Sequence, residues 1–156
     1  MEYVINSKKE NKAMKSYTDI EQSKKLAEFL PLESADMYYI SGDECDICFG
    51  RGVYEEIADW ICEGIPKPAD IPCWSLAALL NLLPNEISTG ERYCDKYQID
   101  IRKYDGGDNI TLYQIAYGNN RGLSGSWHDM INTSEKESAI DAYYEMILEL
   151  NELNLL

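Results

Sequence analysis

Cys45 and Cys48 form a C-x-x-C pair, the spacing at which two thiolates clip a zinc ion or close a redox-active disulfide. Cys62, Cys73 and Cys94 could complete a set of four ligands. A zinc site usually shows a second close pair, and a thioredoxin-like site needs its pair at the start of a helix after a strand, with a depressed thiol pKa. Neither context surrounds Cys45 and Cys48, so reduced cysteines in a loop or core are the plainer reading, and no cofactor is expected. The single histidine, His128, stands beside Asp129, and a His next to an acid invites a general-base reading. Sequence neighbours seldom point at one place, however, and no nucleophile elbow, P-loop, dinucleotide fingerprint or H-E-x-x-H motif is present. The acidic clusters DECD at 43–46 and DGGDN at 105–109 lack the spacing and closing Glu of a calcium loop, and turn chemistry explains both. No catalytic residue is assigned, and the chain is expected not to be an enzyme.

Binding is better signalled than catalysis. The chain holds 12 Tyr against 2 Phe, with 3 Trp, and tyrosine suits half-exposed contact surfaces because it joins apolar area to a polar tip. Net charge is −14, concentrated as −8 over residues 33–70 and −5 over 135–156. Phosphate recognition rests on Lys and Arg, so direct nucleic-acid binding and anionic membranes are both disfavoured. The expected partner is another protein; the charge reads first as that of a soluble acidic chain and, as the sharper alternative, as an acidic face for a basic partner. Candidate contact residues are Arg121, Trp127 and His128, and the acidic Glu55, Glu56 and Asp59.

At 156 residues, 45% apolar and 27% charged, the composition fits one folded domain. Residues 1–15 are polar and Lys-rich and read as a flexible tail, or at most a strand at Tyr3 to Ile5, with the domain over 16–156. No apolar run reaches the roughly 18 residues of a membrane span, and none resembles a signal peptide. A cytoplasmic location is expected.

The elements follow from periodicity. Thr18 and Glu21 fit a capping box opening a helix over about 19–29, with Ile20, Ala27 and Leu30 on one face and Pro31 beyond its end. Met37 to Ile40 reads as a short strand. Val53, Ile57 and Ile61 fall four apart, a candidate fourth helix over 53–62, and GIPKPADIP at 64–72 reads as a linker. Ser75 is the expected N-cap of a helix over 75–83, with Trp74 and Leu79 at the spacing of a hydrophobic staple and Leu76, Leu79, Leu80 and Leu83 as its buried stripe. Alternation in YQIDIRKY, then DGGD, then ITLYQIAY gives a hairpin over 97–117; Tyr97, Ile99 and Ile101 share one face, Gln98, Asp100 and Arg102 the other. The glycine-rich run before Trp127 has room for a further strand. Ser134 and Glu137 fit a second capping box, opening a helix over 135–153 with Ala139, Tyr143, Met146, Leu150 and Leu153 inward. Helices that do not alternate with strands predict an α+β fold: a small, mainly antiparallel sheet packed by three amphipathic helices.

Three stretches, KSYTDIEQSKKLAEFLPLESADMYY, IPCWSLAALLNLLP and AIDAYYEMILELNELNLL, together resemble a family of small proteins carried by phages and mobile elements of Bacteroides-type gut bacteria. The resemblance covers the helices and leaves out residues 41–70 and 85–133. That family has no assigned activity, so it implies no catalytic residue and no ligand. The expectation that results is an accessory or regulatory protein acting by protein–protein binding. The alternatives are an acidic nucleic-acid mimic directed at a host defence or DNA-processing protein, and a small metal-dependent or redox protein using Cys45 and Cys48.

Overall fold

The computed structural model describes residues 15–39, 61–64, 70–88, 96–121 and 126–156, with only the backbone at 61–63, 121 and 126. In chain order these form α1 (Ile20–Leu26), a 3-10 turn (Leu32–Ser34), β1 (Met37–Tyr39), β2 (Ile61–Glu63), β3 (Ile71–Cys73), α2 (Leu76–Leu82), β4 (Glu86–Ser88), β5 (Lys96–Asp105), β6 (Thr111–Arg121), β7 (Ser126–Asn132) and α3 (Ala139–Glu152). The fold is α+β, with two antiparallel sheets ordered β2-β1-β3 and β4-β5-β6-β7.

The expected hairpin is present as β5 and β6, in register from Gln98 opposite Gly118 to Asp105 opposite Thr111. Its loop uses DGGDN as the residue types dictate: Gly107, Asp108 and Asn109 all have positive φ, and the Gly107 amide donates to the Asp105 carboxylate at 2.9 Å. One face of the sheet carries Ile87, Tyr97, Ile115, Tyr117 and Ile131, all buried, against a core completed by Trp74, Ala78, Leu79 and Leu83 near α2 and by Ile140, Tyr143, Met146, Ile147 and Leu150 of α3. Ile101, expected inward with Tyr97 and Ile99, is 46% exposed, although its cross-strand partner Ile115 is buried.

Both predicted capping boxes give way to tertiary bonds. Thr18 is fully buried, and its hydroxyl accepts the Trp74 amide at 3.1 Å and bonds Ser23. Asp19 therefore caps α1: the Gln22 amide donates to it at 2.9 Å, and the Gln22 side chain accepts the Asp19 amide. Residues 27–29, assigned to this helix from sequence, instead wind into turns closed by three-residue bonds such as Phe29 N–H to the Leu26 carbonyl. The Ser134–Glu137 box fails because the Lys136 backbone exchanges hydrogen bonds with Tyr113 of β6, and Ser134 donates to the Glu145 carboxylate. The helix consequently starts at Ala139 rather than 135, and Leu153 lies past its end, 47% exposed.

Ser75 caps α2 as expected, accepting the Ala78 amide. Asp36 holds this cap from outside, accepting the Ser75 amide at 2.9 Å and its hydroxyl at 2.5 Å. Leu76 and Leu80, however, are exposed; Ala78, Leu79 and Leu83 are the residues that turn inward. Ile61 and Cys62, placed in a fourth helix by spacing, belong to β2, where pairing with β1 overrides the local pattern; positions 53–60 lie outside the described residues, as do Tyr3 to Ile5. Ile71 and Pro72, assigned to a linker, belong to β3, an edge strand, where proline's missing N–H is tolerated. Lys15 is engaged, donating to Asp19, Gln22 and Asp141, and so ties the start of α1 to α3. No helix among the described residues is long and apolar enough to cross a membrane.

Candidate interaction surface

The face of the four-stranded sheet that turns away from the core is built around two small residues of β6. Pairing places Asp100 opposite Ala116, Gln98 opposite Gly118 and Arg102 opposite Gln114 on this outer face. On the other side of β6, Asn132 lies opposite Ala116 and Asp129 opposite Gly118. With only a methyl and a hydrogen between them, the long Arg102 side chain crosses β6 to reach Asp129 on β7. Its guanidinium donates two bonds to Asp129, at 2.8 and 2.6 Å, and its Nε donates to Asp100 at 2.7 Å.

A β-bulge makes this meeting possible. The register shifts between Tyr117 and Gly118, so Met130 is the extra residue of β7. Asp129 and Asn132, three apart, thereby come to the same face, and the Asn132 amide group donates to the Asp129 carboxylate at 3.4 Å. Trp127 shares that face. Its indole N–H donates to Asp129 at 2.6 Å, and its ring rests on Gly118, where an added Cβ would stand 2.5 Å from Nε1. Gln114 receives Arg102 and Tyr104 and donates to the Thr133 carbonyl. Arg102, Tyr104, Gln114 and Trp127 on this face are thus each fixed by at least one partner.

The electrostatics follow from the clamp. Hydrogen bonds from Arg102, then from Trp127 and Asn132, hold the Asp129 carboxyl below its ordinary pKa against its partial burial, and Asp129 in turn raises Arg102. Elsewhere, burial pushes the Cys73 thiol up, and it also pushes up the Tyr39, Tyr117 and Tyr143 phenols. Burial works against the ionised forms of Glu145 and Lys15, yet the bonds to Lys136 and Ser134 lower the one and those to Asp141 and Asp19 raise the other. All these shifts move the group away from neutrality, the opposite of what a general acid or base requires.

Of the residues singled out from sequence, Trp127 belongs to this surface. His128 is exposed and follows it in β7, opposite Asn119, so alternation puts it on the other face from Asp129. The Asp129 oxygens are already taken by Arg102, Trp127 and Asn132, and the suspected His–Asp pairing is not formed by this geometry. Arg121 closes β6 opposite Ser126 and is described by its backbone alone. Glu55, Glu56, Asp59, Cys45, Cys48 and Cys94 lie outside the described residues. Cys73 is a free, buried thiol, and no group of three or more His, Cys, Asp or Glu among the described residues is placed to hold a metal ion.

Sequence reasoning missed Arg102, Asp129 and Gly118 as one unit. Alternation put Asp100 and Arg102 on one face, and a glycine inside a β-rich run is a sign of close approach. Compared with known proteins, the chain matches no family model, no curated protein and no solved structure.

Proposed function

We propose that the protein is a non-catalytic binding protein, an accessory or regulatory factor of a phage or mobile element, and that it contacts its protein partner through the outer face of the β4-β5-β6-β7 sheet. The observation that carries this reading is the preorganised Trp127–Asp129–Arg102 group. Trp, Tyr and Arg dominate binding hot spots, and fixing them before contact lowers the entropic cost of association. Here Trp127, Tyr104 and Arg102 project from a rigid sheet, each anchored by hydrogen bonds.

The nucleic-acid mimic draws less support from α3. Asp141, Glu145, Glu149 and Glu152 fall near one edge of the helix, but Asp141 is bound by Lys15 and Gln22, and Glu145 by Lys136 and Ser134. Two of the four carboxylates are therefore spent inside the fold. Affinity capture with the full chain and with Trp127→Ala as parallel baits tests the reading. A protein retained by the first and lost by the second is the expected result. No retained protein, together with turnover of a metabolite by the pure chain, overturns it.

A further inference from the structure

We infer that the partner presents a basic segment to this face, with one Lys or Arg side chain laid on the open side of the Trp127 indole and paired with Asp100; this rests on the binding reading above. The strands of the outer face carry Glu86, Asp100 and Asp129 against Lys96 and Arg102, as the pairing register shows. Lys96 is paired with Glu86 at 2.6 Å, and Arg102 is shared between the two aspartates. Both cations are spent, and one negative charge remains.

Acceptor capacity decides where that charge is available. Asp129 receives two bonds from Arg102, one from Trp127 and one from Asn132, which leaves it no room for another donor. Asp100 receives only the Arg102 Nε, at Oδ2, and its side chain is 40% exposed. Glu86 likewise keeps one oxygen open beyond its bond from Lys96, but it stands on β4, on the far side of β5 from β6 and Trp127, so Asp100 is the open acceptor nearer the indole.

The pairing register brings the indole to the same part of the face. Trp127 covers Gly118, which pairs with Gln98, and Asp100 follows Gln98 by two residues on the same face. Diagonal neighbours at this register stand about 7–8 Å apart, within the reach of one long basic side chain. One side of the ring is closed by Gly118, the bond to Asp129 fixes the ring plane, and Trp127 is half-buried, so the side away from Gly118 is the one on which a cation would stack. An acidic segment would add to a surplus negative charge here and to the −14 of the whole chain.

The test is an NMR titration of the 15N-labelled full chain with capped pentapeptides, Gly-Gly-Arg-Gly-Gly, its Lys counterpart and its Glu counterpart, at constant ionic strength. The Trp127 indole N–H resonance is assigned by its loss in Trp127→Phe. It is expected to move saturably with the Arg and Lys peptides and to stay fixed with the Glu peptide. Asp100→Asn should weaken binding at least fivefold, whereas Glu149→Gln, which removes the same charge from an exposed position on α3, should change it less than twofold. An unmoved resonance, equal loss in both variants, or an equal response to the Glu peptide overturns the proposal. A captured partner whose affinity ignores Asp100→Asn overturns it too, while leaving the binding reading standing.

Discussion

Replacing Gly118 by alanine strikes the point on which the outer face is built. The new Cβ would lie 2.5 Å from the His128 carbonyl oxygen, 2.5 Å from Trp127 Nε1 and 2.6 Å from Cε2. Ordinary contact begins near about 3.5 Å, so close to 1 Å must be found. Either β7 slides away from β6, or the indole lifts and loses its bond to Asp129. Overpacking of this kind costs about 1–3 kcal/mol, and a hydrogen bond to a charged group contributes about 1.5 kcal/mol more. A total of roughly 2.5–4.5 kcal/mol corresponds, for a domain of this size, to a fall in Tm of about 5–18 °C. Gly107→Ala is the control: it has φ +85° and nothing within 4 Å of the added carbon, so it carries only a backbone cost of about 1–2 kcal/mol. Urea denaturation of both variants, in the native and Trp127→Ala backgrounds, gives the comparison. Gly118→Ala should cost more than Gly107→Ala and less in the Trp127→Ala background, where only the clash with His128 remains. If its cost matched the control, or were the same in both backgrounds, Trp127 would not be seated on Gly118 and the reasoning would fail.

Asp129 supplies a pH test whose sign is fixed by its lowered pKa. Its contribution is fully present above the ordinary carboxylate value of about 3.9 and drains as pH falls through the lower folded value, so the stability gap between wild type and Asp129→Asn should hold from pH 7 to about 4.5 and close below it. Thr18→Val leaves the buried Trp74 amide without its acceptor and should cost about 1–3 kcal/mol in urea denaturation, whereas Thr18→Ser, which keeps the hydroxyl, should recover most of it. Cys73, fully buried with its thiol pKa pushed up, should be labelled by maleimide only on global unfolding, as peptide mass spectrometry after timed exposure would show.

Where the sequence was legible, the controlling forces were local. The β5–β6 hairpin follows from alternation and a glycine-rich turn, and Ser75 caps α2 because its bond to Asp36 uses the hydroxyl proton and leaves the oxygen to accept the Ala78 amide. Thr18 and Ser134 have the same capping chemistry, but burial against Trp74 claims the one and Glu145 the other, so each helix starts later than its sequence suggests. Ile61 and Cys62 show the limit of periodicity in a short apolar run, where pairing with β1 decides. The candidate surface was half legible: the shared face of Asp100 and Arg102 follows from alternation. The arrival of Asp129 depends on a bulge between Tyr117 and Gly118, a property of the pairing of two strands rather than of either segment.

The central claim is that the protein works by binding through its outer sheet face. Its most direct test is the affinity of a captured partner for wild type, Trp127→Ala and Leu80→Ser, the last altering an exposed leucine on α2. The account predicts at least a tenfold loss for Trp127→Ala, about 1.4 kcal/mol, and none for Leu80→Ser. Equal affinity of Trp127→Ala and wild type, with loss confined to Leu80→Ser, would contradict it.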